Sequence, residues 1–535
     1  LHLLSRRQRQ MCIRDRIIYS LLFAALFSAC STDFLDRNPL DKPSNEAFWR
    51  TEKDAMAAAT GCYNGWFSMD EVIYADCASD NAYNPFTWEG WAVQAAGTAT
   101  PTDPGYSYMG YGNMVRYNNF LENIHRPEMN EDLRKRLTAE VRFLRAWDYF
   151  QKVTHYGDVP LVTSVLEIKN ANLPRTEKAK VVEFILNELK EIAPQLPESY
   201  SGSDVGRITR GAALTLKARL ELFEHQYDDC MATCSEVMGL GYELFPDYKG
   251  LFKIANENNS EVILDVQYVE SLYGNWVLGV LPPASVGGWC SINPTQSLVD
   301  AFECEDGKTI EESEVYDPKE PYLHRDPRLA VTVLAPGNLY EGKRYDPIDV
   351  KDPNGDYYAP YGRSKTGYLV RKYVDDLSDY ADMWDCGMNA IVMRYAEVLL
   401  MYAECKIELN QIDNSVYDIL DDIRTRAKMP VVDRTRYTGQ EKLRELLRRE
   451  RRVELAMEGL RWFDICRWKI GEQVLNGKVY GCLLGTVDPV TGALSLTNER
   501  IFVENRKFDP AKHYLWPIPQ TVIDATPAIV QNPHY

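Results

Sequence analysis

The sequence predicts a mainly α fold, a tetratricopeptide-like scaffold of paired helices carrying long irregular loops and a few short strands. Three observations lead there. Apolar residues recur at helical spacing over much of the chain, several such segments follow one another with only short turns between, and two long stretches lack helical period.

In chain order, Thr51 and Asp54 form a capping box ahead of KDAMAAATGCYNGW, and a helix follows at about 111–124. Within EVRFLRAWDYFQKV, Phe143, Trp147 and Phe150 fall at i, i+4, i+7 and make one apolar stripe. Helices also read at about 178–193, 210–224, 227–239, 392–409 and 414–427, and a second capping box, Thr438 with Glu441, precedes EKLRELLRRERRVELAMEGL. The close pairs 210–224 with 227–239 and 392–409 with 414–427 are units that stack into arrays. The start points Arg175 and Thr209 lie 34 residues apart, the tetratricopeptide spacing, although the full consensus is absent. The aperiodic stretches run from about 70 to 110 and from about 260 to 390 and are rich in Pro, Gly, Asn, Trp and Tyr. Inside them EVILDVQYV (261–269) and RLAVTVL (328–334) read as strands. Long loops on a rigid scaffold are where binding surfaces are built.

The N-terminal region reads as an export signal. Basic residues precede the apolar run IIYSLLFAALFSA, which ends in small Ser28 and Ala29 and meets Cys30. That run is too short to span a bilayer, which takes about 20 residues, so Cys30 is expected to become the first mature residue and to carry a lipid. Phe27 departs from the Leu commoner three places before such a Cys. Residues 1–16, with the string SRRQRQMCIRDR, have no hydrophobic period; they are expected to be a non-native extension and are set aside, residues 1–29 being removed.

Of 535 residues, 45% are hydrophobic and 26% charged, the composition of a globular protein with a large core. Net charge is −18, and about −22 without residues 1–29, which hold five Arg and one Asp. Such a surface repels nucleic acid and gains nothing from anionic lipid, so attachment to a membrane must come from the lipid on Cys30. The ten Cys after Cys30 contain no CxxC; Cys230 and Cys234 share a helical face, but two thiols make no zinc site, and buried thiols without disulfides are expected.

Other strings read as structure before chemistry. In the Arg-rich run, Glu445 with Arg448 and Arg449, and Glu458 with Arg461, have the spacing of helix-surface pairs. Arg452, Glu454 and Arg461 beside Trp462, and Arg394 with Glu397, are expected to orient helix packing. Asp352, Asn354 and Asp356 alternate like calcium ligands, with Asp346 and Asp349 nearby. The Gly at 355 is misplaced for an EF-hand, however, and the bidentate Glu is replaced by Arg363, so a solvated acidic turn is expected. Neither G-x-S-x-G nor HExxH occurs, and no metal, cofactor or catalytic residue is assigned.

The aromatic loops are the candidate site. SDNAYNPFTWEGW (79–91) offers Asn81, Tyr83, Trp88 and Trp91, and YGNWVLGVLPPASVGGWCSIN (273–293) offers Tyr273, Asn275, Trp276, Trp289 and Asn293. Sugar rings pack C–H faces on aromatic planes, while their hydroxyls need several donors and acceptors at once.

Together these strings carry a resemblance. DFLDRNPLDKPSNEAFW after Cys30, EVRFLRAWDYFQKVTHYGDVPLV (140–162), GRITRGAALTLKARLELF (206–223), PTQSLVDAFECEDGK, HRDPRL, RYAEVLLMYAEC, RRVELAMEGLRWFDICRW and LWPIPQTVIDATPAIVQNPHY occur in the order found in the SusD/RagB family of outer-membrane nutrient-binding lipoproteins. The chain resembles that family from Cys30 to Tyr535. The resemblance implies one SusD-like domain over 30–535, with halves 30–225 and 226–535 and the loop-rich 260–390 in the second. It also implies a non-catalytic lipoprotein on the outer membrane. Such a protein would capture glycans, or sometimes peptides, as a lid on a SusC-like TonB-dependent transporter. Two rivals stay open. One is a glycoside hydrolase on a helical scaffold, with Asp80, Asp103 and Glu89 near Trp88 as available carboxylates; the other is a tethered scaffold with protein partners alone.

Overall fold

A computed structural model describes residues 48–535 apart from 353 and 375–376. The signal segment, Cys30 and most of the string at 33–49 lie outside the described residues. Ten helices of eight residues or more stand among those described: α1 Glu52–Tyr63, α2 Gly112–Asn123, α3 Glu131–Tyr156, α4 Lys178–Ile192, α5 Arg210–Phe223, α6 Tyr227–Met238, α7 Tyr395–Glu408, α8 Asn414–Arg426, α9 Gly439–Glu454 and α10 Arg461–Trp468. Helix α1 begins with its capping box, the Thr51 hydroxyl accepting from the Asp54 N–H and the Asp54 carboxylate taking the Thr51 N–H at 2.8 Å. Thr438 does not repeat this and caps nothing with its side chain. Gly439 follows it at φ +74°, so the chain enters α9 from a left-handed residue and the hydroxyl misses the free N–H groups of the first turn.

Each helix packs on its successor, α2 on α3, α3 on α4, α4 on α5 and α5 on α6. Helix α6 then packs directly on α7, across the whole loop-rich excursion between them, and α7 packs on α8 and α9. The paired-helix array is therefore continuous, with the excursion inserted into it. The stripe on α3 faces the core: Phe143, Trp147 and Phe150 are buried, with Trp147 edge-on to Trp66 and Phe67 at 5.4 and 5.0 Å.

Strands among the described residues occur as antiparallel pairs. Val262–Val266, inside the predicted 261–269 run, pairs with Ala390–Arg394 and closes the base of the excursion. RLAVTVL is mostly helix instead. Asp326 caps Pro327–Thr332 by accepting the Arg328 N–H, Pro327 starts the helix, and only Val333–Leu334 is extended, against Leu369–Val370. A long ribbon, Gly477–Val487 with Leu494–Arg506, has no counterpart in the sequence reading, because its bulges break the alternation that marks a strand.

The Arg-rich string also differs from its predicted pairing. Arg449 binds Glu303 at 2.7 Å, Arg461 binds Asp80 at 2.8 Å, Glu445 pairs with Lys442, and Glu458 takes Lys372 and Arg394 at 2.6 and 2.7 Å. Glu454 is fully enclosed and shared by Arg328, Arg394 and Arg426. The excursion covers this end of the array, so the charged groups meet partners from other segments before they meet one another, and a buried carboxylate needs several donors. The orienting role expected of Arg452, Glu454, Arg461, Arg394 and Glu397 fits this network, Glu397 being held by Arg219 at 2.7 Å.

The ten described cysteines are buried, with the sulfurs of Cys230 and Cys234 3.9 Å apart. The acidic turn is not solvated as expected. Asp346 and Asp356 are buried, accepting from the N–H groups of Ile348 and Ser285, and burial pushes the Asp346 carboxyl up to about 6.

Candidate functional site

A two-residue strand pair places the aromatic loops. Ala82–Tyr83 runs antiparallel to Asn293–Pro294, so the chain after Tyr83 and the chain before Asn293 leave the pair in the same direction. Trp88 sits on a one-turn helix, Thr87–Glu89, closed by Gly90 at φ +84°. Trp289 follows Gly287 and Gly288, and its N–H donates to the Gly279 carbonyl at 3.0 Å. A Cβ on Gly288 would come within 2.2 Å of the Pro282 carbonyl oxygen, so the tight return to Trp289 requires glycine there. Cross-links hold the loops together: Asn84 Nδ2 donates to the Ser291 carbonyl at 2.9 Å, and Ser291 Oγ donates to Glu89 at 2.8 Å.

The result is a ring cluster at the surface. Trp88 and Trp289 meet edge to face at 5.6 Å, with 62% and 43% of their surfaces exposed. Phe86 backs Trp88 at 5.4 Å, Tyr361 stands edge-on to Phe86 at 5.4 Å, and Trp384 packs on Trp289 at 4.7 Å. Tyr361 is 77% exposed, at the end of a turn fastened by Lys365, whose ammonium donates to the carbonyls of Tyr358, Ala359 and Pro360. Trp384 lies over Gly279, where a Cβ would fall 2.2 Å from the ring. Phe86, Tyr361 and Trp384 were not among the sequence candidates. Phe86, Trp384 and Tyr361, the last in the string DYYAPYG, all lie in or beside segments rich in rings, a signal that was present.

The remaining candidates divide. Trp276 is exposed and starts the short helix that carries Gly279. Tyr273 is half exposed and stacks on Tyr268 at 5.4 Å, while Tyr83 is half-buried on the strand. Trp91 is 3% exposed, stacked on Tyr106 at 4.3 Å and edge-on to Trp516, and in this packing it presents no ring face to solvent. The three asparagines are enclosed and bonded within the protein. Asn81 joins Arg452 to Asp76, and Asn275 donates to the Met388 carbonyl at 2.7 Å while accepting from the Val277 N–H. Asn293 accepts the Lys365 N–H at 2.8 Å and donates to the Cys290 carbonyl at 2.8 Å, tying the Tyr361 turn to the strand pair. An isolated Asn in a sequence does not reveal whether its amide turns inward.

Two of the three carboxylates have settled roles. Asp80 is buried between Arg452 and Arg461, and Glu89 stands beside Trp88, accepting from Tyr74, Asn84 and Ser291; Asp103 sits in an exposed turn through its backbone N–H, which donates to the Thr100 hydroxyl. Burial pushes the Glu89 carboxyl up in spite of those donors. No helix among the described residues is long and apolar enough to cross a membrane, and none of their His, Cys, Asp and Glu side chains gather as a metal-binding group.

A sequence model of the SusD family matches residues 250–535, and a second, described as starch-binding and associating with the outer membrane, matches 33–222. The chain belongs to the SusD family. A SusD-like carbohydrate-binding protein of Bacteroides fragilis has this SusD fold, with a TM-score of 0.82, 30% identity and coverage of 90% of this chain and 99% of that one. A SusD-like protein of Bacteroides ovatus is 24% identical over 487 residues, 85% of this chain and 83% of its own. The starch-binding protein SusD of Bacteroides thetaiotaomicron is 28% identical over 265 residues, 45% of this chain and 47% of its own.

Proposed function

We propose that this chain is a non-catalytic, surface-exposed glycan-binding lipoprotein, anchored through Cys30, that passes oligosaccharide or polysaccharide to a SusC-like TonB-dependent transporter. The observation that carries the reading is the solvent-facing pair Trp88 and Trp289 with Tyr361 and Trp384, rings set at an angle to one another by a strand pair and three braced turns. Angled rings suit a curved chain of sugars, whose C–H faces pack on them while hydroxyls reach Glu89 and backbone groups at the rim. Family membership, with relatives named for carbohydrate and starch binding, supports the same ligand class. Of the carboxylates weighed for hydrolysis, Asp80 is committed to two arginines, so it and Glu89 do not form an acid and base pair. The test is a polysaccharide panel by affinity electrophoresis beside a reducing-sugar assay: binding without turnover is expected, and turnover, or no binding to any polysaccharide, overturns the reading. Mass spectrometry of membrane-extracted protein checks the anchor, with an intact N-terminus upstream of Cys30 as the contrary result.

A further inference from the structure

The ribbon Gly477–Arg506 lines an open cavity of about 380 Å³, a size that takes a small ligand, and none of the rings of the aromatic cluster borders it. Lys478 and Tyr480 come from one strand and Arg500 from the other; across from them stand Ser297 and Asp300 of the short helix Gln296–Ala301. Buried Asp80 and Arg506 also border it.

The charges here are unevenly matched. Asp80 is already held by Arg452 and Arg461, and Arg506 is committed to the carbonyls of Ser79 and Ala82 and to Glu504. The side chains of Arg500 and Lys478, by contrast, make no hydrogen bond or ion pair among the described residues. In a chain of net charge −18, this sets two cations, the exposed Lys478 and the part-buried Arg500, against one carboxylate, Asp300, which the Arg500 charge favours, and leaves a local excess of positive charge on the wall of a ligand-sized cavity. Asp300, bonded at one oxygen by Gln296 at 2.7 Å, keeps its other oxygen free to accept. A dianion would be repelled by Asp300, whereas a single carboxylate flanked by hydroxyl donors satisfies both kinds of wall.

We infer that this cavity is a second saccharide site, selective for a uronate residue. Arg500 and Lys478 take the sugar carboxylate, the guanidinium by paired hydrogen bonds. Asp300 and Ser297 take ring hydroxyls, and the partly exposed Tyr480 ring, set against Phe502 at 6.2 Å, supplies an apolar face. The site is separate from the aromatic cluster and does not depend on glycan binding there.

The test is calorimetry at low salt with trisaccharides of galacturonate, glucuronate and guluronate, beside their neutral counterparts and inorganic sulfate. Wild type is expected to bind at least one uronate trisaccharide at least tenfold tighter than its neutral counterpart. Arg500→Ala should lose at least tenfold of that affinity, Lys478→Ala several-fold, and Trp88→Ala none, each variant keeping wild-type circular dichroism. Failure of all three uronates to bind, unchanged affinity in Arg500→Ala, or loss in Trp88→Ala with retention in Arg500→Ala overturns the inference. Displacement by equimolar sulfate would also overturn it, leaving a simple anion site. Loss of neutral-glycan binding in Trp88→Ala reads out the aromatic cluster alone, so the two sites fail independently.

Discussion

Asp80 and Arg461 form a two-pronged ion pair, at 2.8 and 3.0 Å, that joins the turn leading to Trp88 to helix α10 near the far end of the chain. Arg452 adds a third contact at 2.9 Å. Burial alone would raise the Asp80 carboxyl, but the two guanidiniums outweigh it and hold the group well below the usual carboxylate range. Asp76 lies one turn earlier and is as deeply buried. It receives the Met457 N–H and the Asn81 amide on one oxygen, with no cation in contact, and burial pushes it up to about 6. Contact with a cation is what separates the two carboxyls.

Asp80→Asn preserves shape and removes the charge that pairs both arginines. Breaking a buried pair by removing one partner costs about 3–5 kcal/mol, and that loss is expected in guanidinium unfolding at pH 7. Because the folded-state value lies below the unfolded one, wild type keeps this stability above the ordinary Asp range and loses it as pH falls through the folded-state value. The gap between wild type and Asp80→Asn should therefore narrow in acid. A gap below 1 kcal/mol at pH 7 would mean the pair is not formed.

Asp76 has the opposite sign. Its folded-state value is raised, so its contribution is full below the ordinary Asp value of 3.8 and is lost as pH rises through about 6. Asp76→Asn removes that titration, and relative to wild type it should gain about 3 kcal/mol at most between pH 4 and pH 7. Unfolding free energies measured at both pH values check this. A difference that does not change with pH would show that Asp76 keeps an ordinary carboxyl.

Trp462 tests the packing of the array. Its ring is 3% exposed and lies 5.9 Å from that of Trp516, on which His155 also packs at 4.4 Å, in the same core as Phe150. Trp462→Ala is expected to cost about 3–5 kcal/mol in denaturant unfolding. A loss under 1 kcal/mol would place the ring at the surface.

The helices were legible because their signals are local. The capping box at Thr51 and the Phe143, Trp147, Phe150 stripe each depend on residues a turn or two apart. The family strings supplied the rest of the order. What stayed hidden depends on distant partners. The i+3 and i+4 spacing of Glu445 with Arg448 and Arg449 is that of a surface pair, yet Arg449 turns to Glu303, and only tertiary structure brings Glu303 there. Within the candidate site, Trp88 and Trp91 look alike in sequence. The strand pair Tyr83 with Asn293 and the left-handed Gly90 turn the first outward, while Tyr106 and Trp516 enclose the second. Tyr361 joins through Lys365 and Asn293, a link between three loops that no short pattern encodes.

That division of the tryptophans is the sharpest test of the proposed glycan surface. Trp88→Ala and Trp289→Ala remove exposed rings, so stability should stay near wild type, while affinity for a polysaccharide that wild type binds should fall by about 2 kcal/mol or more, as it does for aromatic anchors at a contact centre. Trp91→Ala should do the reverse. Its ring fills the space between Tyr106, Tyr74 and Trp516, and truncation should cost about 3–5 kcal/mol of stability while the surviving folded protein still binds. Trp276→Ala reports how far the surface extends, because its exposed ring begins the helix whose Gly279 carbonyl anchors Trp289. Glu89→Gln is the control for chemistry: it should weaken binding modestly and change no reaction rate. Calorimetry of each variant, paired with its unfolding curve, separates the two classes. If Trp88→Ala and Trp289→Ala both retain full affinity, the ring cluster is not where the glycan sits.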